Sequence, residues 1–269
     1  MKKFFYILLA IVMLAVTLTG LTACGKKSEA KMVCGITDFE PMNFRDSGGN
    51  WTGFDTEFAL MVGEKLGMKI EFQEIEWSQK YNELESGAIN CIWNGFTANS
   101  VESETNTPRS QLVDFSYSYM LNQQCIVVRA ERAGEFTSIE AVAGMTAAAE
   151  KGSAGEAAAN DLVGGAGKVI DVAAQINAFL EVKSGAVDCA VIDILLAQNI
   201  AGKGDYSDLA ITGITLESEL YAVGFKKGDA LRDKVNGAIK DLYDAGTLMT
   251  LAEKYGLENT LVVDTSFGR

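Results

Sequence analysis

Histidine is absent from this sequence of 269 residues, and its absence removes several kinds of site. Without an imidazole the chain cannot build a Ser-His-Asp or Cys-His catalytic group, a histidine metal site or a histidine pH switch. The sequence also has no CxxC pair and no glycine-rich phosphate loop, the usual zinc, redox and nucleotide motifs. We expect no metal and no cofactor, and we assign no catalytic residue. Any catalysis without histidine would depend on carboxylate, lysine, tyrosine or cysteine side chains or on a cofactor.

Basic residues are scarce relative to acidic ones. Lysine and arginine total 23, whereas aspartate and glutamate total 36, which gives a formal net charge of −13. Nucleic-acid binding needs clustered lysine and arginine to neutralise phosphates, so this balance argues against a nucleic-acid partner. The contents of 48% hydrophobic and 22% charged residues are those of a globular protein, and the length suits one or two domains.

The long apolar run of the chain lies at its start. Lys2 and Lys3 precede residues 4–18, a run shorter than the about 20 residues of a membrane-spanning helix and typical of a signal peptide. It leads into Leu-Thr-Ala-Cys-Gly, residues 21–25, which resembles the lipobox of bacterial lipoproteins. This resemblance implies a lipoprotein signal peptide over 1–23, a lipid on Cys24 and a polar tether over 24–30. An uncleaved anchor helix and an ordinary signal peptide are the alternatives.

The rest of the sequence predicts an exported domain without a membrane span. No later stretch approaches about 18 unbroken apolar residues, so we expect this part to be soluble and held by the lipid at the extracytoplasmic face of the cell membrane. Its four cysteines, Cys34, Cys91, Cys125 and Cys189, each lie in an apolar, strand-like run. Disulfides are open to an exported chain, but buried free thiols explain these positions at least as well and are favoured.

Two segments of the chain are alike. Residues 81–93 and 179–191 share the pattern Ser-Gly-Ala-[Ile/Val]-[Asn/Asp]-Cys, which predicts a helix end, a glycine turn and a buried strand. Strand-like segments alternate with helical ones such as Phe54–Leu66, which predicts parallel sheets covered by helices. Two copies indicate two α/β lobes, although unrelated helix–strand junctions also look alike. Because ligands bind beyond the carboxyl ends of strands, residues 94–97 and 192–193 would face each other across a cleft.

Ordered motifs over residues 31–257 resemble the extracytoplasmic solute-binding proteins that deliver polar amino acids to ABC importers (bacterial solute-binding protein family 3). The motifs occupy residues 39–46, 53–59, 64–67, 95–97, 108–109, 113–119, 152–153, 183–188, 193, 224–228, 231–236 and 242–246. The resemblance implies an α/β, two-lobe periplasmic-binding-protein fold of type II, each lobe a mainly parallel sheet flanked by helices. Lobe 1 would be residues 31–121 and 220–269, lobe 2 residues 122–219, joined by two hinge strands.

The resemblance also implies ligand roles at matching positions. Arg109 would bind the α-carboxylate of the ligand, and Asp193 would bind its α-ammonium group. Each of these positions also has an explanation that involves no ligand. Taken alone, Arg109 could be a surface residue, Asp193 a helix cap and Trp77 a core residue. The expected ligand-binding residues are Asp38, Phe39, Trp77, Asn94, Gly95, Phe96, Thr97, Arg109, Glu150, Gly152, Ser153 and Asp193.

The implied function is that of a non-enzymatic, monomeric binding protein. Its partners would be a free amino acid, an ABC importer permease and, through the lipid, the membrane. Asp38, Glu40 and Glu150 near the expected cleft favour a polar or cationic ligand side chain. The alternatives are an exported cyclohexadienyl- or arogenate-dehydratase-like enzyme on the same scaffold, using Glu150 or Asp38, and a ligand-sensing receptor subunit.

Overall fold

The structure, a computed structural model, describes residues 30–267. The expected signal peptide, Cys24 and almost all of the tether lie outside the described residues. None of the helices within residues 30–267 combines the length and the apolar character needed to cross a membrane.

The described chain alternates between strands and helices. In chain order the strands are β1 (Lys31–Ile36), β2 (Phe44–Arg45), β3 (Trp51–Thr52), β4 (Lys69–Glu74), β5 (Cys91–Ile92), β6 (Val101–Glu102), β7 (Thr107–Pro108), β8 (Asp114–Phe115), β9 (Ser118–Arg129), β10 (Thr146–Glu150), β11 (Lys168–Val172), β12 (Cys189–Asp193), β13 (Leu209–Ile211), β14 (Ser218–Tyr221), β15 (Gly224–Phe225) and β16 (Leu261–Asp264). The α-helices are α1 (Phe54–Leu66), α2 (Lys80–Ser86), α3 (Arg109–Leu112), α4 (Ala154–Val163), α5 (Gln175–Ser184), α6 (Ile194–Ile200), α7 (Leu231–Asp244) and α8 (Thr247–Lys254). Short 3-10 helices lie at Trp77–Gln79, Ala130–Glu135, Ile139–Val142 and Gly204–Tyr206.

Two mixed sheets organise the molecule. The first has the strand order β4-β1-β5-β15-β8, and the main path of the second is β11-β10-β12-β9-β13. In each sheet three neighbouring strands are parallel, and the remaining strands pair antiparallel. The expected α/β construction is thus present, but each sheet is mixed rather than mainly parallel because segments that cross between the sheets add antiparallel strands.

The repeated sequence pattern gives the same local structure twice. Helix α2 ends at Gly87 and leads into β5, while α5 ends at Gly185 and leads into β12. The two glycines have φ values of 77° and 78°, a left-handed conformation that closes the helix end and favours glycine. The predicted sequence of helix end, glycine turn and buried strand is confirmed in both copies.

Strands β9 and β14 connect the two sheets. Residues 120–123 of β9 pair antiparallel with residues 218–221 of β14, and the following part of β9 pairs with β12 and β13 of the second sheet. These paired segments coincide with the expected hinge strands. The lobe limits at residues 121 and 219 remain a proposal.

The four described cysteines are buried and free. Cys34 and Cys91 are register partners on β1 and β5, with their sulfur atoms 3.6 Å apart. Burial raises the pKa of the Cys125 and Cys189 thiols to about 12. These cysteines therefore pack as small core residues, which agrees with the favoured prediction of buried free thiols.

Candidate functional site

A narrow cleft lies where the carboxyl ends of strands from both sheets approach each other. It is lined by Phe39, Trp77, Asn94, Gly95, Thr97, Arg109, Glu150, Ser153, Ala154, Gln175 and Asp193. Nine of the twelve residues expected from the sequence are among them. Ala154 and Gln175 were not expected; Gln175 starts the helix after β11, and this strand-to-helix junction was the signal that could have identified it.

Arg109 is held rigidly at the cleft, with 1% of its surface exposed. Its Nε donates to Glu102 at 2.9 Å, one Nη to the Thr97 carbonyl at 3.1 Å and the other to the Gly152 carbonyl at 3.0 Å. The guanidinium carbon lies 5.0 Å from the centre of the Phe96 ring. These acceptors engage three of the five N–H groups of the guanidinium, which fixes the direction of the other two.

Asp193 ends β12 and is 6% exposed. Its Oδ1 accepts hydrogen bonds from Asn122 at 2.5 Å, Gln124 at 2.9 Å and the Tyr221 hydroxyl at 2.7 Å, and its Oδ2 accepts one from Gln175 at 2.5 Å. Burial raises the pKa of Asp193, and these donors oppose the rise. Sequence analysis did not identify Asn122, Gln124 or Tyr221, because the three residues are distant from Asp193 along the chain.

Glu150 ends β10 and is a second buried carboxyl group at the cleft. Burial raises its pKa to about 8, and the negative charge of Asp193 adds to this shift, whereas the charges of Lys80 and Arg109 oppose it. Glu150 is therefore mostly protonated at neutral pH and ionises when a positive charge is placed beside it.

Lys80 is a buried cation near the cleft that sequence analysis missed. Only 1% of it is exposed, and its Nζ donates to the Gly152 carbonyl at 2.8 Å and pairs with Glu102 at 3.4 Å. Burial, followed by the charge of Arg109, lowers the pKa of Lys80 to about 8. Gly152 does not line the cleft; its carbonyl oxygen instead receives both Lys80 and Arg109.

Helix α4 begins at the cleft. The Ser153 hydroxyl caps it by accepting a hydrogen bond from the Glu156 backbone at 3.0 Å, and the first helical residue, Ala154, lines the cleft. The Glu156 carboxylate also accepts a 2.6 Å hydrogen bond from Ser103, which lies between β6 and β7. The start of a helix carries partial positive charge, so this edge of the cleft favours an anionic group.

Gly95 occupies a position that no other residue fits. Its φ is +56°, and a Cβ atom there would lie 2.6 Å from the Phe39 ring and 2.9 Å from the Tyr221 ring. Its backbone N–H donates to Asp55 at 2.7 Å. The neighbouring Asn94 side chain donates to the Asn43 carboxamide at 2.8 Å. Gly95 and Asn94 therefore shape the cleft wall, with these donors already used inside the protein.

Besides Gly152, two expected residues do not reach the cleft. Asp38 is exposed, and its pKa is raised by partial burial and by the charge of Glu74 rather than by any group of the cleft. Phe96 is fully buried in the core, where its ring packs 5.4 Å from Trp77. Phe96 lies between Gly95 and Thr97, which line the cleft, but it follows the left-handed turn at Gly95 and its ring is buried in the core.

Known proteins resemble this chain over almost its whole length. The family model of bacterial extracellular solute-binding proteins, family 3, matches residues 32–258. The arginine-binding extracellular protein ArtP of Bacillus subtilis (strain 168) is 28% identical over 265 residues, covering 95% of this chain and 98% of the relative.

Two solved structures share the fold. An ancestral arginine-binding protein bound to arginine has a TM-score of 0.75 at 29% identity, covering 84% of this chain and 98% of that chain. An ancestral amino-acid-binding protein, a precursor of cyclohexadienyl dehydratase, has a TM-score of 0.73 at 28% identity, covering 84% of this chain and 95% of that chain. The expected two-lobe fold is thereby confirmed, and the chain belongs to the bacterial extracellular solute-binding proteins of family 3.

Proposed function

We propose that this protein binds one free polar amino acid, preferably with a cationic side chain, in the cleft and delivers it to an ABC importer permease. The observation that carries the proposal is the placement of Arg109 and Asp193. Arg109 starts α3, which leads into β8 of the first sheet, and Asp193 ends β12 of the second, yet both line one cleft and their charges are opposite. An α-amino acid carries the complementary pair of charges at its two ends.

The polar groups of the cleft suit the two ends of such a ligand. The two remaining N–H groups of Arg109 would bind the α-carboxylate in a bidentate manner, beside the start of α4 at Ser153. Asp193 would accept hydrogen bonds from the α-ammonium group. Both interactions replace water around charged groups, so correct pairing of each charge is required for tight binding.

The side chain of the ligand would lie toward Glu150, between the aromatic faces of Phe39 and Trp77. A cationic side chain would hold Glu150 in its ionised form, whereas a neutral polar side chain would accept a hydrogen bond from its protonated form. ArtP and the ancestral protein bound to arginine support the cationic choice by analogy. We do not extend the role to Asp38, which lies off the cleft.

The N-terminal residues 1–24 are the basis for a proposed cellular location. We propose that the mature protein begins at Cys24, carries lipid there and acts as a monomer at the extracytoplasmic face of the membrane. The single chain contains the complete cleft, which supports a monomer. Stable anchoring needs more than one acyl chain, so the cysteine must be multiply acylated.

A thermal-shift screen with the twenty standard amino acids and cystine tests the proposal. A ligand that binds only the folded state, present at about 100 times its Kd, stabilises the protein by about 2.7 kcal/mol. Arginine, lysine or a neutral polar amino acid should raise the melting temperature. A response confined to glutamate and aspartate would contradict the preferred ligand class, and no response to any amino acid would contradict the function.

One observation favours the dehydratase-like alternative. With its pKa raised to about 8, the Glu150 carboxyl holds a proton at neutral pH and faces the cleft, as a general acid must. Incubation with prephenate or arogenate, followed by detection of an aromatic product, decides between the two functions.

A further inference from the structure

Asp193 shares its hydrogen-bond donors with a second carboxylate, Glu219 of β14. The Asn122 side-chain nitrogen lies 2.5 Å from Asp193 Oδ1 and 2.7 Å from Glu219 Oε2. The Gln124 side-chain nitrogen lies 2.9 Å from the same Asp193 oxygen and 3.0 Å from the same Glu219 oxygen. Each amide therefore uses both N–H groups, one toward each carboxylate.

This arrangement fixes the orientation of both amides. Among the described residues, neither Asn122 Oδ1 nor Gln124 Oε1 has a hydrogen-bond partner, although both atoms are buried. An amide free to turn would satisfy its oxygen, since an unpaired buried acceptor is unfavourable. An ionised carboxylate accepts hydrogen bonds only, so a turned amide would place its oxygen against Asp193 and Glu219. The two carboxylates together hold the N–H groups in place.

Glu219 also connects the site to the rest of the fold. Its Oε2 accepts a third hydrogen bond, at 3.1 Å, from the Thr97 hydroxyl, which follows β5 of the first sheet. Asn122 and Gln124 belong to β9, and Asp193 ends β12 of the second sheet. One carboxylate thus fixes donors that lie on both sides of the cleft.

We propose that Glu219 is a positioning residue for ligand binding, which orients the Asn122 and Gln124 amides so that they hold the Asp193 carboxylate toward the ligand. The inference rests on the proposed role of Asp193 in binding the α-ammonium group. Glu219 is outside the residues that line the cleft and shares two hydrogen-bond donors with Asp193, so it acts through Asp193.

Charged neighbours determine how the pair responds to pH. Burial, followed by the charge of Asp193, raises the pKa of Glu219 to about 7, and burial raises the pKa of Asp193 as well. Protonation of the pair below neutral pH should weaken its hold on an ammonium group. The other ionisable groups that interact with the pair are Arg109 on α3, Cys125 on β9, Glu150 on β10 and Tyr221 on β14. Lys80 on α2 acts on Glu150, and Glu102 on β6 pairs with Lys80 and Arg109.

Calorimetric titration with L-arginine, L-glutamine and L-histidine over pH 5.5–8.5 tests the proposal on the soluble mature protein. Glu219→Gln should bind about tenfold more weakly at pH 8, because a carboxamide donates to the two amide oxygens and lets the amides turn. Its loss of affinity at acid pH should also begin about one unit lower, since the repulsion on Asp193 is gone. Glu217→Gln, an exposed neighbour on the same segment, removes the same charge and should match the parent.

The positioning role is overturned if Glu219→Gln binds with unchanged affinity at pH 8. It is also overturned if the affinity of this variant begins to fall at the same acid pH as that of the parent. If Glu219→Gln does not fold, Glu219→Asp provides the test, because it keeps the charge but withdraws the carboxylate by one methylene. It should weaken binding about tenfold, and parental affinity would overturn the proposal. A parent protein that binds none of the three amino acids would instead count against the proposed function, and the role of Glu219 would fall with it.

Discussion

The ammonium nitrogen of Lys80 lies 2.8 Å from the carbonyl oxygen of Gly152, and this hydrogen bond joins the two sides of the cleft. Lys80 starts α2, which leads into the first sheet, whereas Gly152 follows β10 of the second. Arg109 donates to the same oxygen at 3.0 Å. One backbone carbonyl therefore accepts hydrogen bonds from two buried cations.

Replacing Lys80 with methionine should weaken ligand binding. Hydrogen bonds to charged groups contribute about 1.5–3 kcal/mol, and this one forms only when the two sides meet, so we expect a loss of about tenfold to a hundredfold in affinity. Calorimetry with the amino acid selected by the thermal-shift screen measures it. Lys151→Met is the matched control: this lysine is exposed and pairs only at 3.4 Å and 3.7 Å with surface acids, so parental affinity is expected. Equal behaviour of the two variants would contradict the role of Lys80.

Arg109→Ala and Asp193→Asn should each abolish useful binding. Loss of one partner of a buried charge pair commonly costs about 2–5 kcal/mol, which is a decrease in affinity of about thirtyfold to several thousandfold. Because Arg109 makes three hydrogen bonds inside the protein, Arg109→Ala should also lower the melting temperature of the empty protein. Calorimetry and thermal unfolding separate the two effects. Binding within about threefold of the parent in both variants would remove the basis of the amino-acid clamp.

The empty protein should lose stability as the pH rises toward 8. The pKa of Glu150 is about 8 in the folded protein and 4.5 as an ordinary carboxyl, so the folded state binds more protons between these values and its free energy of unfolding falls with rising pH. Asp55, with a pKa of about 7, acts in the same direction. Glu150→Gln should therefore raise the melting temperature at pH 8 and change it little at pH 4.5. The exposed control Glu258→Gln should raise it at neither pH.

Gly95→Ala should reduce both stability and binding. The left-handed conformation alone costs a residue with a Cβ atom about 1–2 kcal/mol. The added methyl group would also lie 2.6 Å from the Phe39 ring, which must then move into the cleft wall. Gly87→Ala is the control, because its φ is also positive, at +77°, but no atom lies within 4 Å of its added Cβ. Thermal unfolding should show the larger decrease for Gly95→Ala, and only that variant should bind less ligand.

Cys24→Ala should release the protein from membranes or leave its signal peptide uncleaved. The proposed anchor needs the Cys24 thiol for attachment of lipid, so alanine should remove it. Fractionation of cells into membrane and soluble parts, with mass spectrometry of the mature N-terminus, measures the outcome. A variant that is cut at the same bond and stays in the membrane fraction would contradict the lipoprotein assignment.

Local sequence patterns predicted much of the fold. The shared pattern in residues 81–93 and 179–191 anticipated two matching junctions, and the residues that follow them, including Thr97 and Asp193, do lie at one cleft. Helix Phe54–Leu66 was predicted with its correct ends because its apolar spacing and the stop at Gly67 are both local. Such signals depend on neighbours along the chain, which sequence alone supplies.

The site residues that sequence analysis did not predict owe their roles to contacts with residues that are distant along the chain. Lys80 has the sequence context of an exposed helical lysine, and its burial results from Gly152 and Glu102, which come from other parts of the chain. The role of Glu219 could not be predicted either, because its hydrogen-bond donors lie on β9 and just after β5, far from it along the chain. The opposite error was made for Phe96, which was predicted to line the cleft but is buried in the core. Its position between two cleft residues does not decide which side of the chain its ring occupies.

Strand β9 is a single uninterrupted strand that pairs with β14 and β16 over its first residues and with β12 and β13 over the following ones, and this has a mechanical consequence. Any rotation of one sheet relative to the other must be absorbed as torsion over the short ladder in which residues 120–123 pair with residues 218–221. Asn122 and Glu219 are register partners in that ladder. Twisting it would alter the spacing of the donors and acceptors that hold Asp193, so the elastic element of the molecule and the support of its ligand site are the same few residues.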